Sequence, residues 1–451
     1  MIHIYASTHE LYDDLSSCFD IDTRTIRHPS HLQDVIIDRL AYSSQFGESD
    51  VRTIAQEVIW EISHAWGAYS SSIQKLYTAI GKEDIRGFTV PAINIRMFTY
   101  DIAHTIFSLM QRSAIGPIIF ELAISEQEYT YQPPQQFVSS ILAAAVKSGY
   151  TGPVFIQGDH YQFRSEAYQK DKESEISRIK KVIEQSIKAG MYNIDIDGST
   201  LVDLKKNDLM DQQWENFSVT AEMTKYIRSL EPKDISISVG GEIGHIGGKN
   251  STVEEFEAFM DGYNRMLSED DGSIGLSKVS VQTGTHHGGV ISEDGSLEEV
   301  AVDFDVIRNI SRVARRTYKM GGAVQHGAST LSDDVFHTFP ECETLEIHLS
   351  TGFQNIAYDA MPKSMRERMY EWIKRDLSDE MKPTMTEDQF LYSTRKKAWG
   401  PFKEHLWQLD TDEKQPVLDQ IHAKIAYLCS QLHVRNTRHI LMKYYDEKRN
   451  T

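Results

Sequence analysis

The chain has 451 residues, 40% of them hydrophobic and 25% charged, which is typical of a globular protein with one large domain and appendages, or with two to three smaller domains. Its 47 Lys and Arg against 66 Asp and Glu give a net charge of −19, which argues against general nucleic-acid binding but permits a small anionic substrate in a locally positive pocket. The three cysteines are far apart, which argues against a disulfide framework. The N-terminus does not resemble a leader, and no apolar run reaches about 18 residues, which argues against secretion and a membrane span. We therefore expect a cytoplasmic protein.

Residues 1–86 predict a helical N-terminal extension. Its clearest helix covers residues 51–66, in which Ile54, Val58, Ile59 and Ile62 recur at helical spacing. At the other end, residues 376–451 predict a helical, charged C-terminal extension, with 395–407 as its most distinctive stretch. No low-complexity linker separates either extension from the middle of the chain, so we expect both to pack on it or to form an oligomer interface.

Residues 87–375 alternate short apolar runs with helical segments. The runs lie at 88–95, 116–123, 153–159, 193–199, 235–244, 278–285, 322–329 and 344–351. Between two of them, Ile176, Ile179, Ile183 and Ile187 form one helical stripe that ends at Gly190. Eight strands alternating with helices predict an α/β fold, a (β/α)8 TIM barrel. A doubly wound open sheet is the alternative, but the first strand lacks the Gly-rich turn expected there.

Polar side chains follow the predicted strands at their C-terminal ends, where TIM barrels have their active sites. In chain order these are Asp159, His160, Asp195, Asp197, Ser199, Glu242, His286, His287, His326, Ser329, His348 and Ser350. A single strand histidine is more often an ordinary hydrogen-bonded residue than a ligand. Three histidines with two carboxylates instead predict a divalent metal site, and three imidazoles with an open position are typical of catalytic zinc. Glu242 is then a possible fourth ligand, and Asp197 a residue that orients a ligand.

Five motifs occur in an order that resembles the class II fructose-bisphosphate aldolase family. They are GDH at 158–160, IDGS at 196–199, EIGHIGG at 242–248, GTHHG at 284–288 and QHGAS at 325–329. Each motif alone is weakly specific, but the ordered set is specific and spans residues 91–351. Neither extension shows such a resemblance.

The resemblance implies a lyase that cleaves or forms a C–C bond of a sugar phosphate in carbohydrate metabolism, such as glycolysis. It implies one catalytic Zn²⁺ per chain, which polarises the ketose carbonyl and stabilises an enediolate, and Asp159 as the acid/base. A monovalent cation beside the substrate phosphate and a homodimer or homotetramer are further implications. The implied metal ligands are His160, Glu242, His287 and His326, and the implied substrate or phosphate contacts are Asn94, Gly288, Gly327, Ser329, His348, Ser350 and Thr351.

Several positions depart from the family pattern. Asn250 stands where a proton-transferring Glu is expected, His348 and Ser350 replace Asn and Asp, Gln354 replaces Arg and Ala123 replaces Ser. Asparagine cannot act as a general base, so Glu254, Glu255 or His348 are the candidates for that role. Three hypotheses remain open. The chain is an aldolase for another ketose phosphate; or it cleaves fructose 1,6-bisphosphate with help from Arg395, Lys396 or Lys397; or it is a metal-binding barrel with other chemistry, such as hydrolysis, or none.

Overall fold

A closed barrel of eight parallel strands forms the centre of the molecule. The computed structural model describes residues 3–244, 249–268, 274–284 and 302–445. Each strand pairs in parallel with the next, and the last pairs with the first, so the predicted (β/α)8 TIM barrel is confirmed. The strands are β1 Val90–Asn94, β2 Ile119–Ala123, β3 Gly152–Gln162, β4 Asn193–Asp197, β5 Ser238–Glu242, β6 Lys278–Val281, β7 Gly322–Gln325 and β8 Glu346–Leu349.

Helices surround the barrel, as the alternating pattern predicts. The isoleucine stripe forms the helix Lys172–Ala189, which Asp171 caps by accepting a hydrogen bond from a backbone N–H. The helix stops at Gly190, whose φ of 101° is a conformation that favours glycine. The other long helices of the barrel are Thr99–Arg112, Pro134–Lys147, Leu209–Leu230, Val253–Leu267, Phe304–Tyr318 and Thr351–Ala360, with shorter ones at Ile124–Tyr129, Ser165–Lys170 and Thr338–Glu341.

The N-terminal segment is mostly helical but also contributes a strand to the sheet. Its longer helices are Thr8–Ser16, Ile37–Phe46, Ser49–Trp66 and Gln74–Gly81. Ala68–Ser71 pairs in parallel with the first residues of β3, outside the closed barrel. This strand was not predicted, because its four residues contain no apolar run and alternate between buried and half-buried positions.

The C-terminal segment packs on both ends of the barrel. Its helices are Lys363–Asp376, Glu387–Thr394, Lys403–Trp407, Thr411–Gln431 and Arg438–Tyr445. At the amino end of the strands, Tyr69 donates a hydrogen bond of 2.8 Å to the carbonyl of Tyr445, and Tyr445 donates one of 2.8 Å to the carbonyl of Ser72. The N-terminal and C-terminal segments therefore meet beneath the barrel. No helix of the described residues is long and apolar enough to cross a bilayer.

Candidate active site

A bulge in β3 places two neighbouring polar residues on the same side of the strand. Consecutive side chains of a regular strand point to opposite faces. Here the pairing with β4 shifts between Gly158 and Tyr161, so one residue is inserted, and His160 adopts a φ of 46°. Asp159 and His160 both line the cavity at the mouth of the barrel as a result. Gly158 is required because a Cβ there would lie 2.3 Å from the hydroxyl of Tyr161.

Three side chains from β3, β5 and the end of β7 converge at the C-terminal end of the barrel. His160, Glu242 and His326 each offer one donor atom, and these atoms lie within 4.8 Å of one another. Nδ1 of His160 is 3.3 Å from a carboxylate oxygen of Asp197, which in turn accepts hydrogen bonds from the backbone and hydroxyl of Ser199. The structure thus places Asp197 beside His160, and its role in orienting a metal ligand stays a prediction.

Nitrogen and oxygen donors in this arrangement fit a divalent metal ion such as zinc. The rings are also oriented from outside the cluster, His160 by Asp197 and His326 by the hydroxyl of Ser280 at 2.9 Å. His287 and Gly288, which were predicted as a ligand and a phosphate contact, lie outside the described residues.

Several buried carboxylates lie close together in and around the cluster, and this proximity shifts their pKa values. Burial, together with the neighbouring carboxylates Asp197 and Asp159, raises the pKa of Glu242 to about 7. A cation at the cluster would favour the ionised form of Glu242. Burial also disfavours ionisation of Asp159, but the positive charges on His160 and His348 outweigh it and hold the pKa of Asp159 well below its usual value. Asp159 is therefore a carboxylate that can accept a proton.

His348 lies among carboxylates and beside His326, with 4.1 Å between the two ring centroids. Its Nε2 is 2.6 Å from Glu346, and its Nδ1 is 2.9 Å from Glu121 and 3.5 Å from Asp159. Burial opposes protonation, but the charges on Glu121 and Asp159 raise the pKa of His348 well above its usual value. Since both ring nitrogens face carboxylates, His348 is placed to donate protons in hydrogen bonds to them.

Beneath His348 the barrel interior contains a buried lysine. The Lys278 ammonium lies 2.9 Å from Asp195 and 2.6 Å from Glu346, and it donates a hydrogen bond of 2.7 Å to Gln157. Tyr77, from the N-terminal helix Gln74–Gly81, donates a hydrogen bond to Glu346 from below. Asp195 lies on the same strand as Asp197, but it belongs to the barrel interior and not to the cavity wall.

Most of the described residues with predicted substrate contacts surround one cavity of about 1430 Å³. Ser350 precedes the helix Thr351–Ala360, so the free N–H groups of that helix begin at the cavity, and the buried Ser350 hydroxyl has no hydrogen-bond partner among the described residues. Together these groups form a suitable site for a phosphate. The lining residues among those predicted are Asn94, Asp159, His160, Glu242, His326, Gly327, Ser329, His348, Ser350 and Thr351.

Neither Asn250 nor the two glutamates that were considered as substitutes for the missing Glu line the cavity. Asn250 donates a hydrogen bond of 3.1 Å to Asp303. Glu255 caps the helix Val253–Leu267 with Thr252 and pairs with Lys249 at 2.5 Å, so it serves the local structure. Glu254, the other candidate, is likewise absent from the lining. Of the described candidates, only His348 faces the cavity.

Two groups among the lining residues that were not predicted from the sequence lie near one another. Arg96 and Glu126 form an ion pair of 2.6 Å, and Glu126 also accepts a hydrogen bond of 2.5 Å from Asn94. The remaining group comes from the C-terminal segment and consists of Thr384, Met385, Gln389, Tyr392, Ser393 and Lys396, of which only Lys396 was considered. Arg96 directly follows a predicted strand, and this position could have identified it as a lining residue. Nothing in the sequence indicates where on the barrel the segment 384–396 packs.

Comparisons with known proteins agree with this fold. A family model described as fructose-bisphosphate aldolase class-II matches residues 75–396. No curated protein matches the chain. Among solved structures, the chain resembles a fructuronate-tagaturonate epimerase from Cohnella laeviribosi, with a TM-score of 0.55 and 10% identity over 83% of this chain and 86% of that one.

Two other solved structures share the likeness. A probable tagatose 6 phosphate kinase from Sinorhizobium meliloti 1021 has a TM-score of 0.54 and 13% identity, over 79% of this chain and 99% of that one. A fructose-bisphosphate aldolase from Campylobacter jejuni has a TM-score of 0.48 and 14% identity, over 81% and 96%. At such identities the likeness to solved structures shows the fold alone.

Proposed function

Because the chain belongs to the class-II fructose-bisphosphate aldolase family, we propose that it is a zinc-dependent aldolase that cleaves or forms a C–C bond of a ketose phosphate. The observation that supports this most strongly is the cluster of His160, Glu242 and His326 beside an ionised Asp159 in the cavity at the barrel mouth. We assign these three residues, with His287, to the metal. A zinc ion held there would act as a Lewis acid on the substrate carbonyl and would stabilise the negative charge left by C–C cleavage.

Side chains of the protein perform the proton transfer on the aldehyde side of the cleaved bond and bind the substrate. During cleavage Asp159 accepts the proton of the hydroxyl group whose carbon becomes the aldehyde, and during condensation it returns that proton. His348, 3.5 Å from Asp159, holds this carboxylate in place. Gly327, Ser329, Ser350 and Thr351 bind the substrate phosphate through backbone N–H and hydroxyl groups, as the N-terminus of the following helix favours.

The proposal is tested by retro-aldol cleavage of fructose 1,6-bisphosphate and a panel of other ketose phosphates by zinc-loaded protein. We expect dihydroxyacetone phosphate, or the matching ketone, to be released, EDTA to abolish the release and zinc to restore it. Asp159→Asn should lower kcat by at least about 100-fold, the usual contribution of a general acid/base, while binding about one zinc per chain. Asp379→Asn, at an exposed position, is the matched control.

His160→Ala should in contrast lose zinc, as measured by metal analysis of the dialysed protein. Cleavage of another ketose phosphate but not of fructose 1,6-bisphosphate would identify a different substrate within the same function. If zinc-replete protein cleaves no member of the panel, or if cleavage is insensitive to EDTA, the proposed function is wrong.

A further inference from the structure

Part of the cavity wall is built by a segment of the C-terminal extension that contains three consecutive basic residues. This segment, residues 384–396, reaches over the barrel mouth and meets the residues that follow β1 and β2. Arg395, Lys396 and Lys397 lie at its end. The three positive charges differ in their surroundings, and this difference identifies the one that is available to a ligand.

Two of the three charges are already engaged. Arg395 donates a hydrogen bond of 2.6 Å to Asn355, and its guanidinium lies over the rings of Tyr358 and Tyr392, at 5.0 Å and 4.2 Å from their centroids. Lys397 forms an ion pair of 2.6 Å with Glu380. Neither residue lines the cavity, so neither is placed to bind a substrate.

Lys396 differs from both neighbours. It is half-buried, its side chain lines the cavity, and no carboxylate of the described residues lies within 4.0 Å of its ammonium group. The ammonium lies over the ring of Tyr129, whose centroid is 5.9 Å away. A half-buried ammonium without an ion-pair partner is unfavourable, and an anionic ligand would relieve that cost.

Charged residues of both signs surround Lys396 at this end of the cavity. Arg96 forms an ion pair with Glu126, whereas the Lys396 ammonium has no ion-pair partner among the described residues and interacts with Glu126 and Glu380 only at longer range. Burial and the charge of Arg96 lower the pKa of Lys396. Glu128 lines the cavity as well, but it is exposed to solvent, which screens its charge.

Hydrogen bonds hold the segment on the barrel, so the backbone that carries Lys396 is anchored beside the cavity. Trp399 donates a hydrogen bond of 2.9 Å to Gln354, and Tyr358 donates one of 2.6 Å to the carbonyl of Arg395. Gln354 also contacts Arg96, at 3.4 Å. A binding group that is ordered before the ligand arrives loses little entropy on binding.

We infer that Lys396, with Arg96 beside it, binds an anionic group of the substrate at the end of the cavity that the C-terminal segment closes. The group is a phosphate or a carboxylate, and it lies on the same molecule whose carbonyl reaches His160, Glu242 and His326. This assignment rests on the proposed function for the identity of the reaction, but the binding of the anion is independent of turnover.

The experiment measures binding of inorganic phosphate and of malonate to full-length protein by calorimetry. Wild type and Lys397→Gln should bind at least one of the two anions with the same Kd, and Lys396→Gln should bind that anion about tenfold more weakly, as expected for loss of a charge-assisted contact. Weakening with phosphate indicates a phosphorylated substrate, and weakening with malonate alone indicates a sugar acid. Equal affinity in all three proteins, or no binding to wild type, would overturn the inference.

A second measurement locates the anion and separates this inference from the proposed function. Reductive methylation of the lysines, followed by peptide mass spectrometry, should show that the bound anion protects Lys396 but not Lys397. Protection of Lys396 in a protein that cleaves no ketose phosphate would support the anion site and refute only the proposed reaction. Methylation of Lys396 that is unaffected by saturating anion would refute the anion site, whatever the activity.

Discussion

Lys278 shows how one residue limits the chemistry of the site. A lysine in a barrel interior could form a Schiff base with a ketose, but only as a neutral amine. Burial favours the neutral amine, yet Asp195 and Glu346 outweigh burial and raise the pKa of Lys278. Lys278 therefore stays an ammonium ion, and it does not line the cavity. The carbanion formed in an aldol cleavage needs another electron sink, in agreement with a metal ion at His160 and His326.

The same geometry predicts the effect of removing this charge. Lys278→Met leaves Asp195 and Glu346 buried without their cation, so we expect the free energy of unfolding to fall by about 3–5 kcal/mol. Tyr77→Phe removes only a hydroxyl group from Glu346 and should cost about 1–2 kcal/mol. Urea denaturation of the three proteins measures both values. A Lys278→Met variant that is as stable as Tyr77→Phe would contradict this account of the network.

Site residues could be predicted from the sequence where they stand at the polar C-terminal end of an apolar run, and not where they are single charges at its start or middle. Asp159, His160, Glu242 and His326 stand at the polar ends of apolar runs, and all four line the cavity. The single charges Glu121, Lys278 and Glu346 instead lie within their strands. Nothing in the neighbouring sequence indicates that they belong to a buried network. The bulge that turns His160 into the cavity was not predictable either, because it depends on the pairing of β3 with β4.

Elements with a clear period were predicted more successfully than those whose role depends on packing. Seven of the eight barrel strands lie within the predicted runs, and β3 contains its run and continues to Gln162. Strands that are buried on both faces are largely apolar, which is why the runs could be recognised. Ala68–Ser71 and the segment 384–396 are largely polar, and tertiary contacts alone give them their places. The division of the chain at residues 86 and 375 remains a prediction.

Lys403 connects the C-terminal segment to the barrel and makes its packing dependent on pH. Its ammonium donates hydrogen bonds of 2.7 Å to the carbonyl of Tyr131 and of 2.8 Å to Gln136. Burial, with a smaller contribution from Arg52, lowers the pKa of Lys403 to about 7. The unfolded chain keeps this proton up to about pH 10, so between pH 7 and 10 the unfolded state binds more protons and stability rises with pH.

Lys403→Met should remove that contribution. We expect the stability of the wild type, relative to Lys403→Met, to increase between pH 7 and pH 9 in urea denaturation at constant ionic strength. Lys363→Met, at a side chain that is 78% exposed, is the control and should follow the wild type. Parallel pH profiles of the wild type and Lys403→Met would show that Lys403 keeps its ordinary pKa in the folded protein.

At the scale of the whole molecule, the two extensions complete the barrel at both ends. Beneath it, Tyr77 contacts the interior network, and Tyr445 lies against Ser72 and against the ring of Phe155, with 5.3 Å between centroids. Above it, residues 384–396 form part of the cavity wall. One continuous cluster of buried apolar side chains includes residues from both extensions and from the barrel. Such a core favours unfolding as a single unit.

Cooperative unfolding can be tested because the tryptophans are distributed unevenly. Five of the six, Trp60, Trp66, Trp372, Trp399 and Trp407, lie before β1 or after β8, whereas far-UV circular dichroism reports on the whole chain. We expect the two signals to change at the same urea concentration, and Tyr445→Ala to lower both midpoints equally, because its contacts join both extensions to β3. Tyr427→Phe, which loses a hydrogen bond near the surface, is the control. If the fluorescence changes at a lower urea concentration than the circular dichroism, the extensions unfold separately from the barrel. The active site, which shares residues with the C-terminal extension, would then open before the barrel unfolds.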